Sequence, residues 1–410
     1  MSKRKKVVIL GAGYAGLATA HKLQHITNPR EVEIVLIERN TFHTNCVSLH
    51  EIAMGNAQAQ DISYDIVPVL QKPHVEFLRA EVEGVDKETK VVKTDKGDVS
   101  YDILVMGLGF EPETFGIDGM LDNAFQVYDL HGSEYIVMHM ENQFRRYAFA
   151  PCGQKDESDI TIIIGGAGFT GIELLGELVD RIPRICRKYH INKRRVKIYC
   201  VEAAPVMLPM FNAQEVAYVR GYLESRGVEF LLNTPIVGST PNGFLIKRNG
   251  VEEELRASTS IWTAGVRGNH LMEEIFGDAV KRGRLIVNQD LTAPGHPDIY
   301  VLGDCAAFIG EGQERPYPTT AQIAAQMGRH AASNIRAQIR GRKTRPFVYD
   351  YKGTVCSLGP RNGVADLNGL IIKGFWALRI KRLVESKSDW QISGMYNAIK
   401  NNRLFKFFNH

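Results

Sequence analysis

Short apolar runs alternate with helical apolar spacing along most of this chain, which predicts an α/β protein. The apolar run at residues 7–10 precedes a glycine-rich turn, a helix over 17–25 and a second strand over 32–37. The same order recurs half a chain later, where residues 162–178 read IIIGGAGFTGIELLGEL and a strand follows at 196–201. Strand, glycine turn, helix and strand in this order are typical of parallel units that bind dinucleotides. The pattern therefore predicts two doubly wound units in one chain.

The segments between and after these units have weaker patterns. Residues 75–105 alternate in short apolar runs, which predicts a meander of strands leading back to the first sheet. A helix is expected near 133–147, and the polar stretch CGQKDESD at 152–159 is a candidate domain boundary by composition. Asn242 and Gly243 predict a hairpin, and the apolar run at 298–303 predicts a strand that ends beside an acid.

The first glycine turn has the chemistry of a pyrophosphate site. Glycines in such a turn allow backbone N–H groups to approach the phosphates, and the following helix contributes partial positive charge. Glu38, at the end of the next strand, can accept hydrogen bonds from ribose hydroxyls. The alternative is a glycine turn in an ordinary α/β unit, and the terminal acid argues against it.

The second glycine turn is also followed by a strand that ends on an acid, Glu202. An acid at this position favours a free ribose 2′-hydroxyl and repels a 2′-phosphate, so NADH is expected rather than NADPH. A further acid, Glu173, lies in the first turns of the helix, where it would point toward a bound cofactor. Two nucleotide-binding units in one chain suggest two cofactors face to face, with FAD in the first unit and NADH in the second.

Two later segments carry candidate polar groups. Asp304 ends a strand and is suited to bind the ribityl or phosphate part of a large cofactor, although an acid at a strand end can also be structural. Gln322 and Gln326 lie four residues apart on a predicted helix with Thr319 or Thr320 near its N-cap, so they share one face. Their amides could bond ligand carbonyls or form an exposed polar stripe.

The last sixty residues differ from the rest in composition. Residues 352–369 are glycine-rich and strand-like, and residues 370–384 and 395–408 are expected to form two basic amphipathic helices. Their mixture of Trp, Phe, Lys and Arg favours a helix lying in a membrane interface. The alternative is a basic helix packed on the protein core or on a dimer partner.

Composition excludes several other classes of protein. A net charge of +4 over 410 residues does not favour nucleic-acid binding. The six cysteines have no CxxC or metal-ligand spacing, which argues for a reducing compartment and against a disulfide framework or a metal centre. No signal peptide is expected before the first strand, and no apolar run is long enough to predict a transmembrane helix.

Taken together, the motifs resemble those of a known family, the type II NADH dehydrogenases, which are non-proton-pumping NADH:quinone oxidoreductases. The resemblance rests on segments in the same order: GAGYAG, GLGFEPETFGI, GGAGFTGIELLGEL, VEAAPVMLP, VLGDCA and RPYPTTAQIAAQMG. It implies a two-domain flavoprotein reductase fold with two dinucleotide-binding (Rossmann-like) domains and a C-terminal membrane-anchoring region. It also implies FAD, NADH as electron donor, a menaquinone or ubiquinone acceptor and a homodimer peripheral to the cytoplasmic face of the cell membrane.

The resemblance assigns roles to individual positions. FAD is expected to contact Gly11, Gly13, Tyr14, Ala15, Gly16, Leu17, Glu38, Arg39, Asn40, Val82, Asp304, Ala321 and Lys381. NADH is expected at Gly166, Gly168, Gly171 and Glu202. Glu173 would act in catalysis between the cofactors by passing protons or orienting a cofactor, and Gln322 and Gln326 would line the quinone pocket.

The implied domains are an FAD-binding domain over 1–115 and 291–345, an NADH-binding domain over 116–290, and a membrane-associated region over 346–410. Three alternatives share the fold. A disulfide reductase or peroxidase would need a reactive Cys46, a sulfide:quinone oxidoreductase would use cysteines such as Cys152 and Cys356, and a redox-sensing flavoprotein would turn over slowly. The absence of a CxxxxC pair disfavours the first alternative, and Glu202 disfavours the second because it indicates bound nicotinamide nucleotide.

Overall fold

The computed structural model describes residues 4–394, apart from the side chain of Ser388. Within these residues the helices are α1 (Tyr14–Ile26), α2 (Leu49–Ala53), α3 (Ala59–Ile62), α4 (Met120–Asn123), α5 (Leu130–Phe149), α6 (Phe169–Lys188), α7 (Ala213–Glu224), α8 (Leu271–Phe276), α9 (Ala321–Ile339) and α10 (Phe375–Ser393). The predicted second C-terminal helix, at 395–408, lies outside the described residues.

The strands alternate with these helices in both halves of the chain. They are β1 (Lys5–Leu10), β2 (Val32–Glu38), β3 (Phe42–Thr44), β4 (Ser63–Asp65), β5 (Val75–Arg79), β6 (Val82–Asp86), β7 (Val91–Thr94), β8 (Val99–Ser100), β9 (Ile103–Met106), β10 (Phe110–Pro112), β11 (Phe125–Gln126), β12 (Thr161–Gly165), β13 (Lys197–Val201), β14 (Val228–Leu231), β15 (Ile236–Thr240), β16 (Gly243–Arg248), β17 (Val251–Arg256), β18 (Thr259–Trp262), β19 (Val266–Gly268), β20 (Val280–Lys281), β21 (Arg284–Ile286), β22 (Thr292–Ala293), β23 (His296–Val301), β24 (Ala306–Ala307), β25 (Thr354–Ser357), β26 (Gly363–Leu367) and β27 (Leu370–Lys373).

The first sheet has the strand order β22-β23-β9-β1-β2-β5 and is parallel except at the β22–β23 edge. Its inner strands are continuous apolar runs because helices cover a parallel sheet on both faces. Strands distant in sequence contribute to it, since β23 pairs with β9. The first glycine turn lies at the carboxyl end of β1, where ligands bind in open α/β sheets.

The second sheet has the order β11-β18-β12-β13-β14, and all four of its strand pairings are parallel. The second glycine turn follows its central strand β12 and leads into α6. Helix α5 belongs to this unit, because Met140 and Phe144 lie in the same buried cluster as Ile162. The polar stretch 152–159 connects α5 to β12, and its interpretation as a domain boundary stays a prediction. The domain limits themselves remain a prediction.

The predicted meander over 75–105 is only partly correct. Strand β5 joins the first sheet in parallel with β2, and β9 returns to pair with β1. Only β6, β7 and β8 form an antiparallel meander, and they make a separate sheet. Strand β5 is continuous with the parallel core because its register places Val75 beside Ile34 of β2.

The C-terminal region begins with an antiparallel sheet, β25-β26-β27. Residues 370–373 were predicted to begin a helix but form β27, and α10 begins only at Phe375, so this prediction was wrong. Asn368 and Gly369 both have positive φ, 56° and 94°, and Leu367 pairs with Leu370 across them. This is the two-residue turn that closes a tight hairpin, and it commits the following residues to a strand.

Candidate functional site

The first glycine turn is built so that a dinucleotide can approach its backbone. Gly11 has φ 86°, which favours glycine. A Cβ on Gly16 would lie 1.9 Å from the carbonyl oxygen of Gly11, so α1 packs against the turn too closely for any side chain. A Cβ on Gly13 would meet no protein atom within 4 Å. The turn is therefore tight on its protein side and open on the side where a pyrophosphate would lie.

The second glycine turn repeats this geometry position by position. Gly166 has φ 110°, and a Cβ on Gly171 would lie 2.0 Å from the Gly166 carbonyl oxygen. Gly168 faces open space, as Gly13 does. Two turns of the same construction, each at the N-terminus of a long helix, fit two dinucleotides.

Each turn is hydrogen-bonded to the acid at the end of the next strand. Glu38 Oε2 accepts from the N–H of Ala12 at 2.9 Å, and Glu202 Oε2 accepts from the N–H of Ala167 at 2.7 Å. The second oxygen of Glu202 accepts from the N–H of Ala204 at 2.9 Å. These bonds fix each carboxylate beside its glycine turn, where the ribose of a bound dinucleotide lies.

Other residues predicted to bind FAD lie around the first turn. Gly13 is the N-cap of α1, which begins with Tyr14, and the Tyr14 hydroxyl donates to Asn45 Oδ1. Ala15 and Leu17 are buried under the turn, whereas Arg39 and Asn40 are exposed beyond Glu38. The Asn40 N–H donates to Glu38 Oε1 at 3.0 Å. Val82 begins β6 and packs on the core of the first unit.

Asp304 lies in the short turn after β23 and is partly buried. Burial raises its pKa to about 6, although Arg284 opposes the shift. A carboxyl group with this environment suits hydrogen bonding to ribityl hydroxyls. Ala321 is the first residue of α9, and the N-cap of this helix is Thr320, whose hydroxyl accepts from the N–H of Ile323. The predicted N-cap is thus confirmed at Thr320.

Glu173 lies in a buried polar cluster that joins α6 to the C-terminal region. Its Oε1 accepts from the N–H and the hydroxyl of Ser357, at 2.9 and 2.8 Å. The Lys381 ammonium donates to the same oxygen at 2.5 Å and to Ser357 Oγ at 2.9 Å. His50 Nδ1 lies 3.8 Å from Glu173 Oε2. Lys381 was expected to approach the flavin, which stays a prediction, and its ammonium contacts Glu173 and Ser357.

The charges in this cluster stabilise one another. Burial alone would raise the pKa of Glu173, but the Lys381 ammonium, together with the hydrogen bonds from Lys381 and Ser357, lowers it. Burial would lower the pKa of Lys381, yet Glu173, Glu385 and Glu51 raise it. Burial also lowers the pKa of His50, against the opposing effect of Glu173. Glu173 is therefore a carboxylate and Lys381 an ammonium at neutral pH, with a neutral imidazole beside them.

Gln322 and Gln326 lie on one face of α9, as their spacing predicts, but this face is not an exposed stripe. Gln322 Oε1 accepts from the hydroxyl of Tyr349 at 2.8 Å and from the N–H of Lys352 at 3.0 Å. The Gln326 amide exchanges two hydrogen bonds, of 2.9 and 3.0 Å, with the backbone of Asp350. The two amides therefore hold the segment 349–352 along the helix.

Two of the cysteines named in the alternatives, Cys46 and Cys356, do not have the environment of redox-active thiols. All six cysteines are free, and burial raises the pKa of Cys46 to about 12. Burial also raises the pKa of Cys356 well above its usual value. A reactive cysteine needs a stabilised thiolate, so Cys46 and Cys356 do not support the disulfide reductase or sulfide oxidation alternatives.

Two members of the Glu173 cluster could not be found from the sequence. His50 lies in the short helix α2 and Ser357 ends the apolar strand β25. Neither is part of a recognisable motif, and both reach Glu173 only through long-range packing. Glu177 is different, because a second acid four residues after Glu173 on an apolar helix is a signal present in the sequence.

Helix α10 has one buried and one exposed face. Ala377, Lys381 and Ile392 are buried against the protein. Large apolar side chains are exposed along the same helix: Phe375, Trp376, Leu383, Val384 and Trp390. Among residues 4–394, no helix has the length and apolar character needed to cross a membrane.

The fold and the paired glycine turns define a flavin-dependent pyridine-nucleotide reductase with two dinucleotide-binding domains. The family model described as pyridine nucleotide-disulphide oxidoreductase matches residues 5–328, and the chain belongs to this family. A curated relative from Staphylococcus epidermidis, named type II NADH:quinone oxidoreductase, is 49% identical over 98% of this chain and 99% of its own length. The chain belongs to the type II NADH:quinone oxidoreductases, as its motifs predicted.

Solved structures agree with this fold. The NDH2 of Plasmodium falciparum, solved in complex with NADH, has a TM-score of 0.86 at 18% identity and covers 99% of each chain. The sulfide:quinone oxidoreductase of Aquifex aeolicus has a TM-score of 0.76 at 20% identity, covering 98% of this chain and 95% of its own. At these identities the likeness concerns the fold alone.

Proposed function

We propose that this protein oxidises NADH and reduces a membrane quinone through FAD, as a single subunit and without pumping protons. It is an FAD-dependent oxidoreductase with NADH as electron donor. The observation that carries the choice of acceptor is the 49% identity, over nearly the whole chain, to a type II NADH:quinone oxidoreductase. The paired glycine turns support the two cofactors.

The first turn would hold FAD. Gly11, Gly13 and Gly16 would admit its pyrophosphate, Glu38 would bind the adenosine ribose, and Asp304 would bind the ribityl chain. When bound, FAD accepts a hydride from NADH and passes two electrons to the quinone. The other residues of the proposed FAD site are Tyr14, Ala15, Leu17, Arg39, Asn40, Val82, Ala321 and Lys381.

The second turn would hold NADH. Gly166, Gly168 and Gly171 would admit its pyrophosphate, as the glycines of the first turn would admit that of FAD. Glu202, already fixed by Ala167 and Ala204, would accept hydrogen bonds from the ribose hydroxyls. A 2′-phosphate would meet this carboxylate at close range, which favours NADH over NADPH.

The quinone would be reduced near the Glu173 cluster. In this proposal Glu173 carries a proton toward the quinone and Lys381 keeps the carboxylate ionised between turnovers. Gln322 and Gln326 would shape the wall of the pocket by holding the segment 349–352 against α9. The C-terminal sheet and α10 would then be part of the site, because they contribute Ser357 and Lys381.

The exposed face of α10 supports a peripheral membrane position. Trp376 and Trp390 are 69% and 53% exposed, and Arg379 and Arg382 lie on the same helix. Aromatic and cationic residues together favour a helix lying in an anionic interface. We propose that the protein acts in the respiratory chain, on the cytoplasmic face of the cell membrane. We also propose that it is a homodimer, and light scattering would measure the mass of that dimer.

The proposed domains follow from the same assignment. An FAD-binding domain would comprise residues 1–115 and 291–345, an NADH-binding domain 116–290, and a membrane-associated region 346–410. Strand β23 supports the discontinuous first domain, since it pairs with β9 across nearly two hundred residues of chain. Limited proteolysis with and without NADH would test these limits.

One absorption experiment tests the proposed function. The purified protein should show a flavin spectrum, NADH should bleach it, and a soluble quinone analogue should restore it. Sulfide in place of NADH should leave the spectrum unchanged. A colourless protein, bleaching by sulfide, or reduced flavin that no quinone reoxidises would contradict the proposal.

A further inference from the structure

A second buried acid lies on α6, about one helical turn after Glu173. Glu177 follows Glu173 by four residues, so the two side chains occupy the same helix face. Glu177 is 3% exposed, and the function described above gives it no role. A buried carboxyl group on an otherwise apolar face is costly unless it is neutral or has partners.

The contacts of Glu177 lead toward the protein surface. The side-chain amide of Asn56, which lies beyond α2, donates from Nδ2 to Glu177 Oε2. The Oδ1 of the same amide accepts from the guanidinium of Arg184. Arg184 is half exposed and also pairs with Asp180. A short polar route therefore runs from the buried carboxyl group to solvent.

Charges on three elements act on Glu177. Burial and then Glu51 of α2 raise its pKa to about 8, with a smaller contribution from Asp180 on its own helix. The hydrogen bond from Asn56 and the ammonium of Lys381 on α10 oppose the shift. Glu177 is therefore mainly protonated at neutral pH, whereas Glu173 is ionised. Paired acids with opposite protonation states are typical of proton-transfer sites.

The reaction needs one proton from water in each turnover. NADH gives a hydride, which carries two electrons and one proton, and a quinone takes two electrons and two protons to become a quinol. The balance is NADH + H⁺ + quinone → NAD⁺ + quinol. A buried site must deliver the second proton through its own side chains or through water.

We propose that Glu177 holds this solvent-derived proton and passes it to the Glu173 carboxylate, beside Lys381, during quinone reduction. The O–H bond of Glu177 breaks, Glu173 becomes protonated and gives its proton to a quinone oxygen, and Glu177 is reprotonated from water at the Asn56–Arg184 rim. This inference rests on the proposed function. Glu177 is a positioning residue for the proton and does not itself touch the quinone.

The variant Glu177→Gln tests the proposal, because it keeps the shape of the side chain and removes its titration. Stopped-flow reduction of the holoenzyme by NADH should be unchanged. Reoxidation by a quinone analogue should slow by about a hundredfold, while reoxidation by ferricyanide, which takes electrons but no proton, should keep its rate. Glu224→Gln, at the exposed end of α7 where Glu224 pairs with Arg220, is the matched control and should change neither rate.

Two further measurements separate proton transfer from a structural role. In the unmodified protein, the rate of reoxidation by quinone should fall as pH rises through about 8. In Glu177→Gln the rate should no longer fall in this pH range. An infrared difference spectrum of reduced against oxidised unmodified protein should contain a carboxylic acid band that shifts in D₂O and is missing from the variant.

Equal slowing of the quinone and ferricyanide reactions in Glu177→Gln would overturn the proposal. An unchanged rate of reoxidation by quinone in this variant, with the same fall in rate near pH 8 as the unmodified protein, would also overturn it. If the variant loses FAD, measurements on the unmodified protein still test the proposal. A quinone reoxidation rate that does not change with pH, or the absence of the infrared band, would overturn it. Failure of the function itself gives a different result, since the unmodified reduced protein would then react with ferricyanide and with no quinone.

Discussion

Glu173 and Lys381, separated by 208 residues in the chain, form a buried ion pair with a 2.5 Å contact. This pair joins the helix behind the second glycine turn to the C-terminal helix α10. Both side chains are only 10% exposed, so neither charge has water as an alternative partner. The C-terminal region therefore completes the candidate site in addition to any role at a membrane.

Breaking this ion pair should be costly. Lys381→Met leaves Glu173 buried without its main counter-ion, and a loss of about 3–5 kcal/mol in the free energy of unfolding is expected. Combining Lys381→Met with Glu173→Gln removes both charges, so the double variant should lose less stability than Lys381→Met alone. Denaturant unfolding of the holoenzyme at neutral pH measures both values.

The same comparison has a pH dependence with a defined sign. The pKa of Glu173 is lower in the folded protein than its ordinary value of 4.5. The stability that its ionisation contributes is therefore present above that value and is lost as pH falls through the folded pKa. Without Lys381, burial raises the folded pKa of Glu173, so the stability difference between unmodified protein and Lys381→Met should shrink as pH falls from that raised pKa toward the lower folded pKa of the unmodified protein. A difference that grows in acid would contradict the ion-pair interpretation.

The second glycine turn predicts a binding defect without a folding defect. In Gly168→Ala the new methyl group meets no protein atom within 4 Å, so stability and FAD content should be unchanged. The methyl group would occupy the space proposed for the NADH pyrophosphate, and KM for NADH should rise by about tenfold or more. Steady-state kinetics with a quinone analogue measures this change.

Gly221→Ala is the matched control for this variant. Gly221 lies within α7, and an added Cβ there also meets open space. The substitution should stabilise the helix by about 0.5–1 kcal/mol and leave KM for NADH unchanged. Equal kinetic effects of the two variants would remove the second turn from the NADH site.

Glu202 should determine the choice between NADH and NADPH. Glu202→Gln removes the charge beside the ribose but keeps an oxygen that can accept the Ala167 N–H bond. The ratio of kcat/KM for NADH to that for NADPH should fall by about tenfold, because repulsion of the 2′-phosphate decreases. Glu229→Gln, an equal charge change at an exposed position of β14, should leave the ratio unchanged. A ratio unaffected by Glu202→Gln would contradict the assignment.

What the sequence could predict depends on how local each feature is. Each glycine turn lies within about forty residues of its own terminal acid, and the spacing within each unit alone predicted its elements. Lys381 was known to matter only by resemblance, and its pairing with Glu173 depends on how α10 packs. His50 and Ser357 had no local signal, since two elements distant in sequence bring them to one carboxylate.

The error at residues 370–373 has a different physical cause. The apolar and basic spacing of LIIKGFWALRIKRLV fits a helix, whereas the residues just before it fit a tight turn. Asn368-Gly369 is the residue pair that accepts two successive positive φ angles, and Gly374 also has positive φ, 78°. These residues close a hairpin and separate its second strand from the helix, so the turn overrides the helical periodicity.

Trp376 and Trp390 predict how the protein binds a membrane. The double variant Trp376→Ser/Trp390→Ser should bind vesicles of anionic phospholipid at least about tenfold more weakly, because each indole loses apolar area that would be buried in the interface. Cosedimentation at low and high salt measures this. Shortening the chain within α10 is a poorer test, since Ile392 is fully buried in the core of the first unit.

Phe149→Ser is the matched control for the membrane variant. Phe149 is 78% exposed at the end of α5, so its replacement removes an exposed aromatic ring from another part of the surface. Vesicle binding by Phe149→Ser should equal that of the unmodified protein, and all variants should keep flavin reduction by NADH in solution. If the tryptophan variant binds as tightly as the unmodified protein, the exposed face of α10 is not the membrane contact, because the two most exposed indoles of that helix would then contribute nothing to adsorption.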